Sequence, residues 1–399
     1  MPLPNKSGAV VRIMANVESY LKLGYKVHLY IINKSEIDIQ KLHSKFKNDR
    51  LNIKHINEDI VDNRSVIDRI LAARPGYLFS WILDIIDNRR AKFRDIVMNN
   101  RKHLPGAIHH FEYLHNASII IGLKGNYIWS NHDLASKRLK IISKLGYKRK
   151  TLMEKVLIYF KYNLTKMIEY HTINSAKLVF TVSSTECAHY KKIGGEKVKL
   201  LPYYFPESPN EIEKKYNLKN KIIKMLHLGS LDAKLPYLSL HNIIKYIYPL
   251  INSSDLNLFE LNVVGSFSKI KGYPWIEEAC DKYKNIRLLG YIENLESIWK
   301  ESDVLLVASD IEIGIRTKII ESIRFKVPVL AMCETAKGIK ELENNKNILL
   351  ANDFEEFLNY IVKIYSRDID LKKLADNAYR TVGSFYSKEN NLKILKASL

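Results

Sequence analysis

Short apolar runs recur along the whole chain, each followed by a stretch whose apolar residues return at helical spacing. This alternation restricts the fold more than any single motif does. A strand that leads through a helix to a parallel partner must bury both faces of its sheet, so repeated units of this kind imply parallel sheets with helices on both sides. Strands are expected near Lys26–Ile31, Asn52–Ile56, Ala107–Phe111, Tyr127–Ser130, Leu178–Val182 and Lys197–Leu200, then near Ile222–Leu228, Glu260–Val264, Ile286–Leu288, Val304–Val307 and Val327–Ala331. A chain of 399 residues exceeds one ordinary domain, so two Rossmann-like α/β domains are expected. Pro202, Pro206 and Pro209 with the charged residues after them suit a linker, placed at 206–220 between a first domain, 1–205, and a second, 221–369.

The second half holds the densest constellation. From Gly314 to Met332 the chain reads as a glycine turn, a helix with one inward-looking carboxylate, and a Pro-led apolar strand. A glycine before a helix lets backbone N–H groups approach a phosphate, where the helix start adds partial positive charge. Arg316 and Lys318 supply cations beside that turn, and Glu321 can accept paired hydrogen bonds from a ribose diol. Upstream, Leu226–Lys234 is a strand running into Gly229, with Ser230 and Lys234 after it, another arrangement suited to a pyrophosphate.

Gly314, Arg316, Lys318, Glu321 and the Pro328-Val329 pair resemble the donor signature of family 4 glycosyltransferases of the GT-B fold, with Ser322 where alanine is usual. Lys337-Gly338-Ile339 and Asn347–Leu350 fit the same family. The resemblance implies two Rossmann-like domains with parallel sheets facing across a cleft, and a final helical segment, 370–399, returning toward the first domain. It also implies sugar transfer from a nucleotide-sugar with retention of configuration, and no divalent metal or other cofactor. Many members carry two glutamates eight positions apart, but eight residues before Glu321 stands Ile313 and Glu312 is out of register. Backbone groups of the Gly314 turn, with Ile315, are expected to replace the first carboxylate. Asn262–Gly265 and Leu289–Leu295 match the family's strand ends, and the loop at Ile292 is expected to meet the nucleobase. Arg316, Lys318 and Lys234 are expected to stabilise the departing diphosphate.

In the first half, Gly8 opens an amphipathic helix carrying Arg12, with Val10, Ile13, Met14, Val17 and Leu21 at helical spacing. The resemblance places Gly8 and Arg12 toward the acceptor. His132 follows a strand, where α/β ligands bind, and resembles the family's residue that contacts the transferred sugar; an inverting enzyme would use such a group as a base. His109, His110, Glu112 and His115 form a second polar cluster without metal-ligand spacing, and Glu112 is expected to contact the acceptor.

The formal charge of +20 calls for an anionic partner. Nucleic acid is not favoured, because no recognisable binding motif accompanies the charge. Lys137–Lys166 holds ten Lys or Arg against Glu154 alone, with Leu152, Val156, Tyr159 and Phe160 at helical spacing, a composition suited to an anionic membrane surface. No apolar run approaches the roughly 20 residues that cross a bilayer, and Cys187, Cys280 and Cys333 form no close pair, so a cytoplasmic or peripheral protein is expected. A glycan or lipid-linked acceptor, in bacterial surface polysaccharide or glycolipid synthesis, follows from the resemblance. A nucleotide-sugar 2-epimerase and a silent carbohydrate-binding subunit remain alternatives. Pro2 and Pro4 leave no room for a buried strand before Gly8, so the natural reading frame is expected to extend upstream by about 8–15 residues, one strand's worth.

Overall fold

The computed structural model describes residues 8–33, 48–57, 88–144, 151–204, 222–249, 259–267 and 274–399. Met1–Ser7, the expected linker at 206–220 and Lys148–Lys150 lie outside the described residues. The chain divides into two compact units. One comprises Met1–Pro202 with Asn391–Leu399, the other Tyr203–Asn390.

The strands of the first unit are β1 (Val27–Asn33), β2 (Leu51–Asn57), β3 (His109–Glu112), β4 (Tyr127–Asn131), β5 (Leu178–Thr181) and β6 (Val198–Leu200). All described pairings are parallel, but among the described residues they form two sheets, β1–β2 and β3–β4–β5–β6, where one was expected. The helix Gly8–Lys22 packs Val10, Met14, Val17 and Leu21 against Ile31, Leu51 and Ile53. These positions recur every three or four residues, one stripe of a helix. Another side of the same helix sends Tyr20 into a cluster with Ile128, Leu178, Phe180, Leu201 and Leu395. Leu395 comes from the tail, which Asn391 fixes by donating to the Pro202 carbonyl (2.9 Å) and accepting from the Ser19 hydroxyl (3.2 Å).

The second unit adds β7 (Ile223–Leu228), β8 (Phe259–Val264), β9 (Ile286–Gly290), β10 (Val304–Val307), β11 (Val329–Met332) and β12 (Leu349–Ala351). They form one parallel sheet in the order β12–β11–β10–β7–β8–β9. The chain lays β8 and β9 on one flank of β7, then crosses back to lay β10 to β12 on the other. Strand order thus reverses between β7 and β10, the kind of switch point at which open α/β sheets bind ligands. The expected final helical segment, 370–399, is not one helix: Leu371–Ala378 runs into a π-helical turn, Tyr379–Gly383, and a further helix spans Lys388–Lys396.

Candidate functional site

At the carboxyl end of β7, Gly229 has φ 140°, and at the end of β8 Gly265 has φ 154°. The two backbones touch. The Gly229 N–H donates to the Val264 carbonyl (2.8 Å), the Gly265 N–H donates to the Gly290 carbonyl (2.8 Å), and a Cβ on Gly265 would lie 2.2 Å from the Gly229 oxygen. Only glycine allows both the positive φ and this approach. Ser230 is not left open toward a ligand: its hydroxyl meets that of Ser266 at 2.5 Å, and both lie within 3.5 Å of the Asp232 carboxylate. Lys234 is exposed in the first turn of the helix Lys234–Asn242.

Across the switch point, the chain after β10 passes through Gly314 (φ 55°) into the helix Thr317–Arg324. Arg316 turns its guanidinium back onto this loop, donating to the carbonyls of Ile311 (2.8 Å) and Ile313 (3.2 Å), so it holds the shape of the glycine turn. Lys318 reaches from the first turn of the helix to the carbonyl of Leu228, the last residue of β7. A Cβ on Gly229 would stand 3.4 Å from its ammonium. Burial, with the Arg316 charge adding to it, pushes the Lys318 ammonium down to about 7. An anion brought to this position would restore the charged form. Glu321, one turn further along the same helix, is half-buried, and burial pushes its carboxyl up against the opposing effects of Trp299 and Arg324. Ile315 and Ile292 are half-buried, Ile292 in the loop after β9.

The structure therefore unites Gly229, Lys318 and the Arg316-braced Gly314 turn at one switch point. Sequence reasoning missed His227 beneath them. It is fully buried in β7 and its Nε2 meets the Pro236 carbonyl at 3.1 Å, while burial, then the Lys318 charge, pushes its imidazole well down. A neutral His227 donating from Nε2 ties the start of the following helix to the strand.

The first unit carries its own polar constellation at the ends of β3 and β4. His110 and Glu112 alternate onto one face of β3, while His109 turns to the other, where its ring lies 5.8 Å from that of Tyr127. Glu112 accepts from His132 Nε2 and from Asn16 Nδ2, each at 2.7 Å. His110 lies between the Ser130 hydroxyl (2.6 Å) and the Tyr20 hydroxyl (2.9 Å). Buried Arg12 donates to the Asn131 carbonyl (2.7 Å). Arg12, Asn16 and Tyr20 are spaced by four, so the helix that begins at Gly8 offers them as one row. That spacing was the readable signal for Asn16 and Tyr20, which sequence reasoning overlooked.

Burial alone would raise the Glu112 carboxyl, but His132, His110 and Arg12 together hold it at about 2. Burial pushes both His110 and His132 down, with Arg12 adding to the effect on each. At neutral pH the set is thus a carboxylate with neutral imidazoles. Since Nε2 of His132 faces the carboxylate, it carries the proton and leaves Nδ1 as an acceptor. Tyr113 stacks on the imidazole at 4.0 Å and has φ 67°, a conformation costing about 1–3 kcal/mol at a non-glycine residue. Each Glu112 oxygen accepts one of these bonds, so the carboxylate supports His132 while keeping lone pairs for a further donor. His115 is exposed in the short helix Leu114–Ala117. Among the described residues no group of His, Cys, Asp or Glu is arranged to hold a metal ion; the Asp368 and Asp370 carboxylates accept instead from the Ser366 hydroxyl and the Lys373 N–H.

Residues 223–367 match the family described as glycosyl transferases group 1. No curated protein sequence matches the chain significantly. Among solved structures, a glycosyltransferase from Rickettsia africae has a TM-score of 0.64 at 18% identity, over 98% of this chain and 94% of that one. WaaG, a glycosyltransferase involved in lipopolysaccharide biosynthesis, has a TM-score of 0.62 at 15% identity, over 97% and 96%. HepE of Anabaena, in complex with UDP-glucose, has a TM-score of 0.61 at 12% identity, over 100% and 98%. At such identities the likeness establishes the fold. Residues 223–367 thus match the group 1 glycosyl transferases, and the chain as a whole has the GT-B fold with its two Rossmann-like domains.

Proposed function

We propose that the donor's diphosphate binds at the switch point of the second unit and that the sugar passes, with retention of configuration, to a glycan or lipid-linked acceptor in bacterial surface polysaccharide or glycolipid synthesis. The observation that carries the donor assignment is Lys318, whose ammonium reaches the Leu228 carbonyl beside the bare backbone of Gly229 at the end of β7. Bound UDP-glucose in HepE supports the class of donor. Lys318 supplies the cation on which diphosphate charge develops, and the start of the helix Thr317–Arg324 supplies its dipole. Glu321 takes the ribose hydroxyls. Arg316 acts by fixing the Gly314 loop rather than by direct contact.

His132 takes the role that the resemblance gives it, contact with the transferred sugar. Glu112 sets its tautomer. Retention rests on the resemblance, and the involvement of WaaG in lipopolysaccharide biosynthesis supports a surface-glycan acceptor. The Glu112–His132 pair favours a second reading, inversion, because a neutral imidazole oriented by a carboxylate is the arrangement of a general base. Incubating the protein with nucleoside diphosphate sugars and candidate acceptors tests the function, and proton NMR of the first product decides the outcome. An α-linked product from an α-linked donor supports retention, and a β-linked one supports the base. Donor conversion to another sugar without any acceptor would refute transfer.

A further inference from the structure

The helix Leu152–Ser175 carries its largest apolar side chains on the outside. Leu152 is 79% exposed and Phe160 is 63% exposed, and Met153, Val156, Leu157 and Tyr159 are exposed with them. At about 100° per residue these six fall in one arc roughly 160° wide. Met167 and Tyr170 continue the arc along the later turns. The opposite arc holds Glu169, Thr172 and Ile173, which are buried in the first unit. This helix is therefore seated by one face and presents an apolar stripe on the other.

The stripe is bordered by cations. On the same projection Lys155 and Lys166 lie at one border and Lys161 at the other, while Lys140 on the adjacent helix Ala135–Lys144 stands over the Tyr162 ring (5.8 Å). Glu154, the only acid between Leu152 and Ile168, is taken up by the capping box: its carboxylate accepts from the Thr151 N–H (2.7 Å), and the Thr151 hydroxyl accepts from its N–H (3.3 Å). The cap fixes the first turn, so Leu152 and Met153 project from formed helix.

We infer that this face docks onto an anionic lipid bilayer, its apolar stripe entering the headgroup boundary and its lysines meeting lipid phosphates. Apolar stripe and cationic borders together are what an interfacial helix needs. A second copy of the chain would bring like charges together around the stripe, on a protein already at +20, which disfavours self-association. Among the described residues no helix is long and apolar enough to cross a membrane, so the helix lies on the bilayer rather than through it.

The test is co-sedimentation of the full chain with vesicles of phosphatidylcholine alone or mixed with phosphatidylglycerol. The unsubstituted protein is expected to pellet with the mixed vesicles and to be released as salt rises. Each lysine near an anionic surface is worth about fivefold in partitioning, so Lys155→Glu/Lys161→Glu/Lys166→Glu should lose at least about a hundredfold. Leu152→Ser/Phe160→Ser, at two exposed positions, should lose at least about tenfold at low salt while its nucleotide-sugar thermal shift is retained. Unaltered pelleting of either variant overturns the inference, as does equal pelleting with both vesicle types. It also fails if the unsubstituted protein self-associates in sedimentation velocity runs and Leu152→Ser/Phe160→Ser abolishes that.

Discussion

Because Lys318 is held at about 7 while its solvated counterpart titrates near 10.5, donor binding should take up a proton. A diphosphate at this position favours the ammonium and raises the pKa of the bound state toward the ordinary value. Affinity is then complete below pH 7 and falls as pH rises. With pKa values of about 7 free and about 10.5 bound, linkage gives donor affinity about 10-fold weaker at pH 8 and about 90-fold weaker at pH 9 than at pH 6, the latter close to 2.7 kcal/mol. At pH 8 about 0.9 proton should be absorbed per donor bound, readable by titration calorimetry in buffers of different ionisation enthalpy. Lys318→Met should bind weakly at all pH values and take up no proton. Flat affinity between pH 6 and 9 in the unsubstituted protein, without proton uptake, would refute the placement of Lys318 against the diphosphate. The stability of the unliganded protein should carry the matching pH dependence. Since the folded pKa lies below the unfolded one for a cation, Lys318 costs stability below pH 7, and that cost should fade as pH rises from about 7 to 10.5.

Glu321→Gln should weaken donor binding by about 1.5–3 kcal/mol without unfolding the protein, read by the same calorimetry. Gly265→Ala should destabilise the second unit by about 3 kcal/mol or more in urea unfolding, since its Cβ would sit 2.2 Å from the Gly229 oxygen at a strained φ. Glu112→Gln should lower turnover by about 10- to 100-fold with little change in donor affinity, because it removes the charge that orients His132. The stability that ionised Glu112 contributes, with its folded pKa at about 2, is present above the unfolded value near 4.5 and lost as pH falls through about 2; Glu112→Gln should flatten that part of the acid unfolding curve.

Much of this was readable because it is local. Apolar runs such as Val304–Val307 placed the strands to within a residue or two, and the Gly314–Glu321 segment is the glycine turn and helix start that its spacing implied. β12 was not read as a strand, since Leu349–Ala351 is too short for a period to show. What sequence could not convey was pairing at a distance. Arg316 was read beside a phosphate, and the structure adds two backbone carbonyls, of Ile311 and Ile313, to which it donates and which leave no mark in a sequence. Ser230 looked open until Ser266 and Asp232 were found beside it. Glu112 and His132 were singled out separately, and only the parallel pairing of β3 with β4 reveals that they meet.

Seating of a nucleotide-sugar at the β7–β10 switch point can be checked by measuring the binding of a panel of nucleoside diphosphate sugars to the unsubstituted protein and to Lys318→Met. Thermal unfolding provides the readout, because a ligand at 100 times its Kd stabilises the bound form by about 2.7 kcal/mol. At least one donor should raise the unfolding temperature of the unsubstituted protein at pH 6.5, and the Lys318→Met protein should lose most of that rise. No rise with any donor, or an identical rise in both proteins, would contradict the account.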